Sequence, residues 1–574
     1  MKPLLLPFVL LYTGLPFWPG TAALPATGVS FSTSDEALQA LYQAAETKEA
    51  RNVLQFTPAM KILVEGGQYR NCWIETQPMG GEMYADRNME VALNNQVIFL
   101  LTQRADGRFP GMVRRDKPEQ LAVPPAPGQV PVAADFNCWF KALQGFCFPD
   151  PAWRMYFWIG RDRAYLQKLY DGLAAYDAYL WLTRDSNGDG VLETWATTDT
   201  GEDNSTRYAT RNAPNPWPFD APPGSPGTPD PQNPRDYAKY WSQQAKEKIP
   251  PFTREQIRAP FDSMDIMGYS YDARATLAKI SHELNNGKEA EWRQKAEDVR
   301  KNLAAKLWDP QRHACFDHDR NGAVLDEVVH NNLRAMYHGV FSQQMADGFV
   351  KYHLLNPAEF WTPFPLPSIA INSTLFRNSS GNNWSGQPEG LTYQRAIRAL
   401  ENYGYYSVVT QLGRKLIGVV EKAGNQFTQQ YDPYTGTPSS REDGYGPTIL
   451  AALEYISRMH GVHADLAAGR IWWSSCDDED FTYTEHWGDH AWTLSSAQGE
   501  MTGSLNGHEL FRCTTGARVV TDLEGRVVAV VGITSSPQPV TLRVAQDHHK
   551  LSLSPNQVIQ IDPSKPTGLV ARPR

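Results

Sequence analysis

No two of the six cysteines in this chain are spaced C-x-x-C, which argues against a thiolate zinc site. Lys and Arg nowhere form a run, and the net charge is -9 at pH 7. That balance excludes a nucleic acid or an anionic membrane as an electrostatic partner. Beyond the N-terminus no apolar stretch is long enough to span a bilayer. No helical repeat of fixed length recurs, and no tract is of low complexity.

What is present is an ordinary globular balance over 574 residues, 41% hydrophobic and 20% charged, long enough for one large domain and a smaller one. Aromatics reach 11%; their faces suit sugar rings, although a large core uses them too. Lys2, an apolar run over 4–15 broken by Pro7, and Thr21-Ala22-Ala23 follow the order of a signal peptide over residues 1–23. A secreted or periplasmic protein is therefore expected. In that setting Cys138 could pair with Cys147 and Cys476 with Cys513; the alternative is six buried thiols.

Ser34 or Asp35 can cap a helix running to about Glu49, with Leu38, Leu41 and Ala45 on one face. Residues 66–84 are too glycine-rich for a helix and too polar for a core strand, so they read as a long ordered loop, which in a compact domain is usually functional. Helical periodicity returns over 88–104 and 153–183. Further helices are expected near 263–284, 288–307, 328–338, 341–354, 388–402, 404–422 and 446–460, many joined by short turns as in stacked antiparallel pairs. The fold expected is mainly α, a toroid of helical hairpins over 24–465. From about 466 to 574 the pattern changes to β-branched runs such as Arg526-Val527-Val528-Ala529-Val530-Val531, and a small C-terminal β-sandwich is expected.

Asp185, Asn187 and Asp189 alternate before Gly190 as in a calcium loop, but the bidentate Glu due at the twelfth position is Ala196. Structural calcium there competes with an Asx-rich turn; no cofactor is otherwise called for. The stretch Asp199-Thr200-Gly201-Glu202-Asp203-Asn204-Ser205-Thr206-Arg207 holds three carboxylates within five residues, between Trp195 and Tyr208. Aromatic surface beside a carboxylic acid disfavours its charged form, which keeps a general acid protonated near neutral pH.

That stretch resembles the E-S-G-W-D-N-S-P-R block of the six-hairpin glycosidases, the clan of trehalases, processing α-glucosidases and mannosylglycerate hydrolases in glycoside hydrolase families 37 and 63. Phe261-Asp262-Ser263-Met264-Asp265-Ile266 resembles the following block. Asn383-Trp384-Ser385-Gly386 resembles Y-W-R-G. Gln429-Gln430-Tyr431-Asp432-Pro433, with Gly444-Tyr445-Gly446, resembles E-x-Y-D-P and G-F-G-W. Four blocks in order are far more specific than any one. The resemblance implies an (α/α)6 toroid and inverting hydrolysis of an α-linked sugar, with Asp203 as general acid and a carboxylate base roughly 6.5–9.5 Å away.

Two positions depart from the pattern. The family's base is Gln429 here, and an amide cannot take the proton of water; Ser385 replaces the family's Arg. Glu442 is the first candidate for the base, since its loop lines the pocket in the family, and Glu389 the second, although an acid in the first turn of a helix is also favoured by the dipole. Trp73, Glu75, Gln77 and Arg87 offer a stacking face and hydroxyl-gripping groups for the substrate, and Trp384, Gln429 and Tyr431 join them through the resemblance. The expected function is an exported, monomeric glycoside hydrolase acting on a carbohydrate. Gln429 keeps open an inactive carbohydrate-binding protein on the same fold. A polysaccharide lyase would need a Tyr or His base and a cation for a uronate, and no basic cluster supports that reading.

Overall fold

The structure is a computed structural model that describes residues 23–114, 136–140, 142–195, 197–208, 260–319, 321–440, 442–561 and 569–571. The signal-peptide segment falls almost wholly outside the described residues. Helices form two shells. Gly446–His460 is buried along its whole length, and Gln77–Met83 and Asn331–Tyr337 are buried throughout. Glu289–Lys306 instead buries only Trp292, Ala296, Val299 and Leu303, a single stripe at helical spacing on an otherwise charged helix. It packs on Met264–Leu284, which also meets Arg163–Thr183. Gly390–Glu401 packs on Asn331–Tyr337 and on Gly446–His460, and the first helix, Glu36–Arg51, packs on that same last helix. This contact closes the ring of the toroid.

Local signals explain the helix ends. Asp35 caps Glu36–Arg51, its carboxylate accepting from the amides of Ala37 and Leu38, and Leu38, Leu41 and Ala45 are buried as the pattern requires. The helical reading of 153–183 resolves into two helices, Pro149–Trp158 and Arg163–Thr183. Gly160 and Arg161 break it, at φ 76° and 66°, before Asp162 caps the second helix. The loop reading of 66–84 needs correction. It contains the strand Cys72–Trp73 and the helix Gln77–Met83. Gly81 is there for close packing, since a Cβ would lie 2.5 Å from that of Asn95, and burial on all sides overrides the glycines' low propensity.

The β region is two antiparallel sheets facing each other, with Trp473 of the six-stranded sheet against Phe511 of the seven-stranded one at 5.6 Å. Helix Gly446–His460 runs directly into strand Gly461–Asp465 of the first sheet. The edge of the second is Thr27–Thr33, which pairs with Phe481–Trp487, Phe31 opposite Tyr483. An N-terminal segment assigned to the toroid from sequence thus supplies a strand to the C-terminal sandwich. All six cysteines are buried free thiols, so neither expected disulfide forms. Among the described residues no helix is long and apolar enough to cross a membrane.

Candidate active site

The three carboxylates of the 199–207 stretch have separate fates. Asp199 is fully buried and accepts from Arg184 Nη1 at 2.8 Å and from the amides of Leu143 and Trp195 at 2.9 Å each. Glu202 Oε2 accepts from Arg207 Nη2 at 2.5 Å, Thr200 Oγ1 at 2.8 Å and Asn331 Nδ2 at 2.9 Å. Burial opposes ionisation of Glu202, yet Arg207 and its other partners hold the carboxyl well below the usual range. Arg207 also reaches Asp317 at 2.7 Å. These two anchored acids fix the loop and leave Asp203 facing a pocket.

Asp203 shares that pocket with Glu65, Tyr69, Trp73, Glu75, Gln144, Gly201, Asn382, Trp384, Gln429 and Tyr445. Burial, and then the neighbouring Glu75 carboxylate, push the Asp203 carboxyl up to about 7, against the stabilising bond from Asn382. Asn382 Nδ2 donates to Asp203 Oδ2 at 2.8 Å, while Asn382 Oδ1 accepts from Gln429 Nε2 at 2.9 Å and Trp384 Nε1 at 3.1 Å. Tyr69 in turn donates to Gln429 Oε1 at 2.9 Å. A continuous hydrogen-bond chain therefore links the Gln429 amide to Asp203.

Glu75 lies against the acid loop. Its Oε2 accepts from Gln144 Nε2 at 3.1 Å, and Arg395 Nη2 and Arg334 Nη2 stand 3.6 and 3.9 Å from Oε1. Gly201, at φ 73°, passes so close that a Cβ there would sit 2.0 Å from Glu75 Oε1. Gly201→Ala should displace Glu75 or the acid loop and lower turnover by about 10²-fold, as misplacement near 1 Å does. Steady-state kinetics beside a circular-dichroism melt would check it; full activity would show that the close approach is dispensable.

The other expected site residues are placed as follows. Trp73 and Trp384 line the pocket, Trp73 edge-on to Trp139 at 5.8 Å and Trp384 under the Arg334 guanidinium at 5.1 Å. Glu389 is fully buried behind it, with Gln430 Nε2 donating to its Oε1 at 2.6 Å. Glu442 is half-buried and is not among the lining residues; its backbone carbonyl accepts from Gln426. Gln77, Arg87 and Tyr431 do not line the pocket either. Gln77 accepts from the Trp73 amide, Arg87 is paired with Glu46 and Asp86, and the Tyr431 hydroxyl accepts from the Thr428 amide.

Sequence reasoning missed Glu65, Tyr69, Gln144 and Asn382. The signal for the first two was Gly66-Gly67. Gly66 adopts φ 84° where a Cβ would strike Asn52 and the Gly444 carbonyl, and the Gly67 amide donates to that carbonyl at 2.9 Å. These contacts lay Glu65 and Tyr69 beside Tyr445.

Asp185, Asn187 and Asp189 each accept a backbone amide of their own turn, and Lys306 lies 3.0 Å from Asp189 Oδ2. Among the described residues the one group with metal-ligand spacing is His460, Cys476 and Asp477. Arg414 already places a positive charge on it, 3.1 Å from Asp477 Oδ2.

The family model for the mannosylglycerate hydrolase MGH1-like glycoside hydrolase domain matches residues 75–448. Among solved structures, the chain is similar to the GH63 mannosylglycerate hydrolase from Thermus thermophilus in complex with Tris and D-glycerate. The two are 19% identical, with a TM-score of 0.54 over 72% of this chain and 99% of that one. A sialidase gives a TM-score of 0.58 at 13% identity, over 87% of this chain and 41% of that one. At these identities the likeness shows the toroid fold. No curated protein matches by sequence.

Proposed function

The chain belongs to the mannosylglycerate hydrolase MGH1-like family of glycoside hydrolases, and on that premise we propose an exported enzyme that cleaves an α-linked glycoside by inverting acid/base hydrolysis. The observation that carries the reading is the state of Asp203. It is a carboxyl in an aromatic-walled pocket, pushed up to about 7 by burial and then by the Glu75 charge beside it. Asp203 is the acid that delivers a proton to the glycosidic oxygen. The Trp73 and Trp384 indoles give faces for the sugar ring, and Gln429 and Asn382 present amides to its hydroxyls. Residues 1–23 direct the chain out of the cytoplasm, to a secreted or periplasmic location.

Incubation with a panel of α-linked disaccharides and oligosaccharides, read by chromatography, tests the proposal. Released monosaccharide is expected. An unsaturated product would mean a lyase, and binding without turnover would mean a carbohydrate-binding protein on a hydrolase fold.

The pH dependence follows from the same group. Asp203 must be protonated to act, so turnover should fall as pH rises through about 7. The folded pKa lies above the unfolded one, so this residue's contribution to stability is fully present below 3.8 and is lost as pH rises from there to about 7. A kcat profile still rising beyond pH 8 would contradict the assignment.

A further inference from the structure

We infer that Glu75 is the general base of this pocket, filling the role that the amide of Gln429 cannot; the inference rests on the hydrolase reading above. A base must be ionised while the acid is protonated, and it needs an oxygen with a free lone pair. Four carboxyls meet at or behind the pocket, the buried Glu65, Glu75 and Glu389 and the half-buried Asp203. Glu75 alone among them has two guanidinium groups within 4 Å of one oxygen, Arg395 at 3.6 Å and Arg334 at 3.9 Å. Those cations are locked in place. Arg395 Nη2 donates to the carbonyls of Glu75 and Gly145 at 3.0 Å each, and Arg334 Nη1 donates to the carbonyl of Thr200. The Oε1 they face accepts no hydrogen bond from the described residues, whereas Oε2 is held by Gln144. One oxygen thus positions the carboxylate, and the other, buried beside Gly201, keeps a lone pair that no described donor occupies.

The rival carboxyls lack this arrangement. Glu65 receives one bond, from the Tyr445 hydroxyl at 2.9 Å. Burial first, and then the Glu75 charge, hold it well above the usual carboxylate range. Glu389 does not line the pocket, and burial likewise holds it well above the usual carboxylate range. Burial also raises Glu75 from its ordinary value, with Arg395 and Arg334 pulling it back and Glu202 opposing them. Of the four, Glu75 is the one with cations placed beside it to favour its ionised form. In the step this implies, a water oxygen bonds to the anomeric carbon as that carbon's bond to the glycosidic oxygen breaks. The water's proton passes to Glu75 and the proton of Asp203 passes to the leaving oxygen.

The test uses the full-length enzyme and the α-linked substrate turned over in the panel. Glu75→Gln should lower kcat by about 10²–10⁴-fold with KM little changed, and the acidic limb of the kcat/KM profile should vanish. Glu75→Gly should regain turnover with added azide, releasing the glycosyl azide. Glu75→Asp keeps the charge between the arginines and should retain the acidic limb at reduced rate, which covers the case in which the neutral variants fail to fold. A Glu75→Gln enzyme with raised KM but intact kcat and acidic limb would make the residue a hydroxyl contact and overturn the inference. So would loss of the limb in Glu65→Gln or Glu389→Gln alone. Asp203→Asn is the control. If it is inactive while Glu75→Gln is not, only the base assignment fails; if the wild type turns over nothing, the hydrolase reading fails with it.

Discussion

Asp203→Asn should lose about 10²–10⁴-fold in turnover, the range for a missing general acid, with an unchanged melting temperature. Asn keeps the shape and can still meet Asn382, which now donates to Asp203 Oδ2 at 2.8 Å. What it cannot do is deliver a proton. The loss should therefore shrink on a substrate whose leaving group needs no protonation, such as a glycosyl fluoride, because there the acid contributes little. A variant equally slow on both substrates would point to damaged binding. A destabilised variant with full activity would make Asp203 a structural residue.

The second large effect is on stability. Arg207 is 2% exposed and holds two fully buried acids, Glu202 at 2.5 Å and Asp317 at 2.7 Å. Arg207→Met would leave both carboxylates without their cation in a dry interior. Removing one partner of such a buried pair costs about 3–5 kcal/mol, far more than an exposed ion pair contributes. Urea unfolding should show it as a lower midpoint with the slope kept. Activity should fall as well, since Glu202 is the residue next to Asp203 and the same network anchors the loop. A loss below about 1 kcal/mol would mean that the acids protonate at little cost and that the network does not hold the loop.

The architecture was legible where one periodicity governs a long segment. Gly446–His460 begins and ends where the sequence places it, because Gly-Pro opens the helix and Gly461 closes it. The hairpin helices and the change to strands near 465 were legible for the same reason. Thr27–Thr33 was not, because Phe31 is its one buried side chain, and the strand exists through pairing with residues 481–487. Gln77–Met83 was hidden by its glycines, whose value lies in contacts with Asn95 and Leu450. In the pocket, the carboxylate-rich 199–207 stretch pointed to Asp203, which lines it, because that signal is local. The charged surroundings of Glu75 are not local. They depend on Arg334 and Arg395, more than 250 positions away in the chain, and no window of sequence brings them together. Glu442 looked favourable from its place in a loop, but lining a pocket is a property of three-dimensional packing.

The measurement that bears most directly on the central claim is proton NMR of the sugar released in the first turnovers on an α-linked substrate, recorded before mutarotation. Protonation by Asp203 with water activated by Glu75 predicts that the β-anomer appears first and the α-anomer only later, at the spontaneous rate. An α-anomer released first would mean a covalent glycosyl-enzyme and a nucleophile in place of a base, and would contradict the account.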